Sequence, residues 1–116
     1  MDIRNFYDEI GSDVNDVEKR LGSLETAKYF VKKFQNDKTY SLLTEAYGED
    51  DNGKAFRAAH TLKGLCSNLG FDALYTSAAA LTEALRSGRP LAGTEQLYEA
   101  VKTDYEKLIS AIDGVE

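Results

Sequence analysis

The sequence predicts an all-α protein: an up-down antiparallel four-helix bundle with a short N-terminal helical extension. Three observations predict it. Apolar residues recur three and four positions apart along nearly the whole chain, and the alternation of a half-buried strand is absent. Proline occurs once, at Pro90, outside any periodic run. The periodic runs are joined by short polar or glycine-bearing connections, which favour antiparallel neighbours. The length of 116 residues fits one domain, 1–116, with short helices over 2–21 and the bundle over about 23–112.

Each element has its own signal. Ile3, Phe6 and Ile10 form a first short stripe ending at Gly11, and Val14, Val17 and Leu21 a second ending at Gly22. Ser23 is the expected N-cap of the next helix. Its stripe of Leu24, Ala27, Val31 and Phe34 continues through Tyr40, Leu43 and Tyr47 after a break near Asn36 and Asp37. The acidic turn EDDNG, residues 49–53, offers N-caps for a helix carrying Phe56, Ala59, Leu62, Cys66 and Leu69, with Gly70 as its stop. Phe71, Leu74, Ala78, Leu81 and Leu85 make the following stripe. A loop, SGRPLAG, leads to Thr94 as the expected N-cap of a last helix with Tyr98, Val101, Tyr105, Leu108 and Ile112.

Composition removes several classes of function. A net charge of −6 provides no basic field to displace counterions from nucleic acid. The same surplus disfavours an anionic membrane surface. No run approaches the roughly 20 apolar residues that span a bilayer. The opening MDIRNFYDEI lacks the apolar core of a signal peptide, and a lone Cys66 can form no internal disulfide. A cytoplasmic, monomeric protein is expected.

The segment AAHTLKG, residues 58–64, contains His60, the only histidine. On a helix, Lys63 at i+3 and Gly64 at i+4 share its side, and Ser67 at i+7 extends the strip. The core stripe lies beside this strip, so His60 is expected to project outward at the edge of the buried face. An imidazole with its ordinary pKa of about 6.5 is a nucleophile at neutral pH. An ammonium one turn away can hold phosphoryl oxygens, and positioning with charge stabilisation is most of what phosphoryl transfer requires. Gly64 weakens the helix by up to about 1 kcal/mol relative to alanine. What it provides is an absent side chain, so that a partner can close over the ring. Arg57, at i−3, adds a cation on the approach side. A lone surface histidine with a solvated lysine beside it is the plainer alternative.

The segment AAHTLKGLCSNLGF, residues 58–71, resembles the signature of histidine-containing phosphotransfer (HPt) domains in His60, Leu62, Lys63, Gly64 and Gly70. More loosely, the resemblance covers the whole chain. It implies a phosphorelay carrier and not an enzyme. A receiver-domain aspartyl phosphate would pass its phosphoryl group to Nε2 of His60, and His60 would pass it to another receiver. Lys63 would steady the phosphoryl oxygens, Gly64 would leave clearance for the receiver, and Gly70 would allow the tight turn. Partners would be response-regulator receivers and a hybrid sensor kinase. Arg57, Ala59, Ser67 and Phe71 are the expected partner contacts, with Lys54, Arg57 and Lys63 as a basic rim.

One position departs from the family pattern. Many members carry an acidic residue directly after a conserved leucine of the following helix, where it orients the imidazole. Here Leu81 is followed by Thr82, with Glu83 one further on. The orienting group is thus open among Thr82, Glu83, Asn68 or none.

Other readings fall away. One histidine and one cysteine do not make a metal site. A calcium loop through DDNG would need carboxylates where Gly48 and Ala59 stand. Cys66 reads as a small core residue. No glycine-rich nucleotide fingerprint is present, so no ATP or other cofactor is expected. Two alternatives stay beside the carrier: a helical interaction module that lost the relay, and an HPt domain excised from a hybrid or chemotaxis histidine kinase. A chain that starts with Met and ends soon after its last helix fits either a stand-alone protein or such a piece.

Overall fold

The computed structural model describes residues 1–116 and contains seven helices and no strand. α1 (Ile3–Glu9) and α2 (Val14–Leu21) form the N-terminal extension. α3 (Leu24–Phe34) and α4 (Thr39–Gly48) make the first arm of the bundle, and α5 (Asn52–Leu69), α6 (Asp72–Leu85) and α7 (Glu95–Asp113) the other three. The molecule is elongated, 41 × 23 × 20 Å, as expected of packed parallel and antiparallel rods.

Local chemistry explains the boundaries. The Ser23 hydroxyl accepts from the Thr26 amide at 3.1 Å, the bond expected of an N-cap. The first arm breaks between Phe34 and Thr39, where the Asp37 carboxylate accepts from the Thr39 amide at 2.8 Å and restarts the helix. At the acidic turn Asp51 caps α5 by accepting from the Lys54 amide at 3.0 Å. Thr94 stands at the N-cap of α7, as the sequence suggests, but its side chain makes no cap bond. Its hydroxyl donates to the Leu91 carbonyl at 2.6 Å and meets the Tyr47 hydroxyl at 2.7 Å, so it is tied into the core side of the loop.

The bundle closes because each arm packs on the next and the last returns to the first. α7 meets α4 through two stacked tyrosine pairs, Tyr40 on Tyr105 at 3.9 Å and Tyr47 on Tyr98 at 4.2 Å. One continuous core runs from the extension into the bundle. Phe71 is its link: its ring meets Phe6 edge-on at 6.2 Å and Phe34 edge-on at 5.1 Å.

The extension closes the C-terminal end of α5. The Tyr7 hydroxyl donates to the Leu69 carbonyl at 2.7 Å, and Arg20 Nε donates to the Asn68 carbonyl at 3.0 Å. These are carbonyls that a helix end leaves without intrahelical partners. Burial raises the Tyr7 phenol far above its ordinary range, with the Arg20 charge opposing, so it stays a donor.

Candidate functional site

α5 is two-faced. Ala55, Ala58, Ala59, Leu62, Cys66 and Leu69 are buried, while Arg57, His60, Thr61, Gly64, Ser67 and Asn68 are exposed and Lys63 is half-buried. His60 therefore projects outward beside the buried stripe, as the spacing predicts. The buried face is chemically quiet: burial, with a smaller contribution from the Asp37 charge, pushes the Cys66 thiol up to about 12.

Gly64 lies in open space. A Cβ built there meets nothing within 4 Å, so packing within this chain does not require glycine. Ser67 continues the exposed strip, about 10 Å along the helix from His60. Two expected partner contacts are corrected. Ala59 is 0% exposed, because its short side chain faces the neighbouring helices from the core stripe. Phe71 is 2% exposed, because its ring is enclosed by Phe6 and Phe34. Neither can touch a docked protein.

The basic rim is also smaller than expected. Lys54 Nζ pairs with Glu45 at 3.2 Å and Glu49 at 3.1 Å, across the turn between α4 and α5. Arg57 remains exposed, but its guanidinium folds back along the helix. Nη1 lies 3.3 Å from the position a Gly53 Cβ would occupy. Lys63 is the cation that shares the imidazole's side of α5.

None of the three candidates orients the imidazole. Thr82 is 0% exposed and donates to the Ala78 carbonyl at 2.7 Å, the back-bond of a helical threonine. Glu83 turns to Arg86, accepting from Nη2 at 2.8 Å and from Nε at 3.2 Å. That pairing, above all, holds the Glu83 carboxyl below its ordinary range, and the nearby Lys63 charge adds to it. Asn68 is two turns further along the helix from His60, where only its backbone carbonyl is bound, by Arg20.

What lies against His60 is a ring. The Phe56 and His60 planes are 4° apart with centroids at 5.9 Å, an offset parallel stack. The Arg86 guanidinium sits over the Phe56 ring, 5.5 Å from its centroid. Phe56 belongs by its spacing to the core stripe, and nothing in the sequence marks Arg86 as a neighbour. The i−4 relation of Phe56 to His60 was a usable signal. For Arg86 there was none, since only packing of α6 on α5 brings it there.

A model of the Hpt domain family matches residues 3–111, nearly the whole chain and all seven helices except the end of α7. The chain belongs to the Hpt domain family. Members of the Hpt family act in histidine phosphotransfer within two-component signalling, as phosphocarriers that interact with receiver domains of response regulators. No curated protein and no solved structure matches the chain. No helix is long and apolar enough to cross a membrane.

Proposed function

We propose that His60 is the phosphoryl acceptor of a relay carrier that takes its phosphoryl group from one receiver domain and gives it to another. The observation that carries this reading is an exposed imidazole, one turn from Lys63 and beside the open surface at Gly64, on a chain of this family. The neutral ring attacks with the Nε2 lone pair. An N–P bond forms as the P–O bond of the aspartyl phosphate breaks, and the aspartate leaves as a carboxylate. The Nδ1 proton stays on the ring, whose new positive charge lies against the phosphoryl oxygens. Lys63 neutralises those oxygens in flight, and Gly64 lets the receiver's backbone come close. Return transfer is the same path reversed, so one site serves donor and acceptor receivers.

The domain, residues 1–116, acts as a cytoplasmic monomer without its own nucleotide site, and a hybrid sensor kinase supplies the first receiver. Docking covers Arg57 and Ser67 around the imidazole, with charge kept to the rim.

Incubation with a panel of phosphorylated receiver domains tests the reading. Label should move to the chain in an acid-labile, base-stable form, as a phosphoramidate requires, and His60→Gln should take up none. Full transfer to His60→Gln would overturn the assignment, and so would a panel in which no receiver phosphorylates the native chain.

A further inference from the structure

The imidazole has no hydrogen-bonding side chain to set its plane, yet a nucleophile must present one nitrogen along one line. The terminal torsion of histidine is broad and roughly two-fold, so an unsupported ring samples many planes. Here an aromatic face lies parallel to it, 4° off, from Phe56 one turn back on the same helix. Phe56 is itself half-buried against the core, which restrains its own torsions. Over its ring lies Arg86, the C-cap of α6, and Arg86 is held by Glu83 through three hydrogen bonds, Nε to each carboxylate oxygen at 3.2 Å and Nη2 to Oε1 at 2.8 Å. Glu83 thus stands one residue past the position where an orienting carboxylate is expected, and it bears on the ring only through Arg86 and Phe56.

We propose that Phe56 is the positioning residue of His60, and that Arg86, pinned by Glu83, holds the Phe56 ring in place. The proposal rests on the carrier reading. The stack fixes the imidazole plane from its face instead of through Nδ1. It leaves both ring nitrogens free of the protein, so Nδ1 meets only solvent or the docked partner. A ring already at its reactive orientation loses less freedom on the way to the transition state, and that gain is made after docking. The effect therefore belongs to the rate at saturating receiver and not to the receiver concentration giving half that rate.

Phe56→Met fills the same half-buried space without a flat face. It should lower the saturated transfer rate about tenfold, the scale of an aromatic pair, with the half-saturating concentration unchanged. Phe56→Tyr, which keeps the face, should restore the rate. Arg86→Gln, at an exposed position, should act in the same direction and less, about twofold. Proton NMR supplies a second readout that needs no receiver. The His60 ring protons should carry a ring-current shift that is lost in Phe56→Met and kept in Phe56→Tyr. Native transfer rates in folded Phe56→Met, or a change confined to half-saturation, would overturn the proposal. So would an unchanged His60 spectrum. If Phe56→Met does not fold, Phe56→Leu replaces it and the same outcomes decide. If the native chain accepts no phosphoryl group, the carrier reading fails, while the NMR arm still shows whether Phe56 sets the ring plane.

Discussion

Gly64 and Gly70 stand six residues apart in and just after α5, and they are glycines for opposite reasons. At Gly70 the backbone is left-handed, φ +74°, and a Cβ would lie 2.5 Å from Val17 Cγ2 and 3.5 Å from Tyr7 Cε1. The extension folds down on that spot, so the chain itself forbids a side chain. Gly64 sits mid-helix, and a Cβ there would meet nothing within 4 Å. Nothing inside the molecule asks for glycine, and helix propensity asks for something else. A residue that the fold does not need and that weakens the helix is what the proposed docking of a receiver would ask for at this position. The same division separates the two reactive side chains of α5: Cys66, enclosed and silenced, and His60, exposed one turn from Lys63.

The comparison breaks first at Gly70. Gly70→Ala combines left-handed strain with overpacking against Val17, and should destabilise the fold by at least about 2 kcal/mol. Urea unfolding measures it. A neutral result would mean that α2 yields easily and that the extension is loosely seated.

Next in size is an alkaline effect from the buried face. The Cys66 thiol titrates near 12 in the fold against an ordinary value of 9.0. The fold favours the protonated form, so its contribution is complete below about pH 9. It is lost as the pH rises from there toward 12, because the unfolded chain releases its proton first. The slope is up to about 1.4 kcal/mol per pH unit. Other raised groups, Tyr7 and Tyr40 among them, act in the same direction. The thiol's share is the difference in slope between the native chain and Cys66→Ala, measured by urea midpoints from pH 8 to 11. Equal slopes would show that the thiol is reached by water.

The smallest effect on stability is at Gly64, with the sign reversed. Gly64→Gln should leave the fold unchanged or stabilise it by up to about 1 kcal/mol, while phosphoryl transfer falls to background. Retained transfer would remove the clearance role. Lost stability would make both glycines structural and end the contrast.

Much of this is legible in the sequence. Ser23 and Gly70 are local signals whose bonds form as expected, and the acidic turn 49–53 supplies its cap through Asp51, all within four residues. The break in the first arm was visible near Asn36 and Asp37 for the same reason. Thr94 takes the N-cap position that the sequence assigns, but its hydroxyl is drawn from the cap bond by the Leu91 carbonyl and by Tyr47, a partner that no window around it contains. Ala59 and Phe71 were misplaced for a related reason. Nearness to His60 in sequence is not nearness on the surface: the helix turns Ala59 inward, and α1 and α3 enclose Phe71. Lys54 is not free for the rim, because it is paired with Glu45 and Glu49 of the preceding helix and the turn, which the α5 pattern does not contain.

By itself the sequence determined the periodicity of the helices, most of their ends, and the outward side of α5 that carries His60, Lys63 and Gly64. These follow from backbone geometry: 3.6 residues per turn assigns faces without reference to any other element. Tertiary structure alone decided what surrounds that face. Whether Glu83 reaches the imidazole or Arg86, and whether Phe56 is wholly core or flanks the histidine, depends on how α6 is rotated and placed against α5. That placement is set by the packing of the whole core, and no single stretch of sequence contains it.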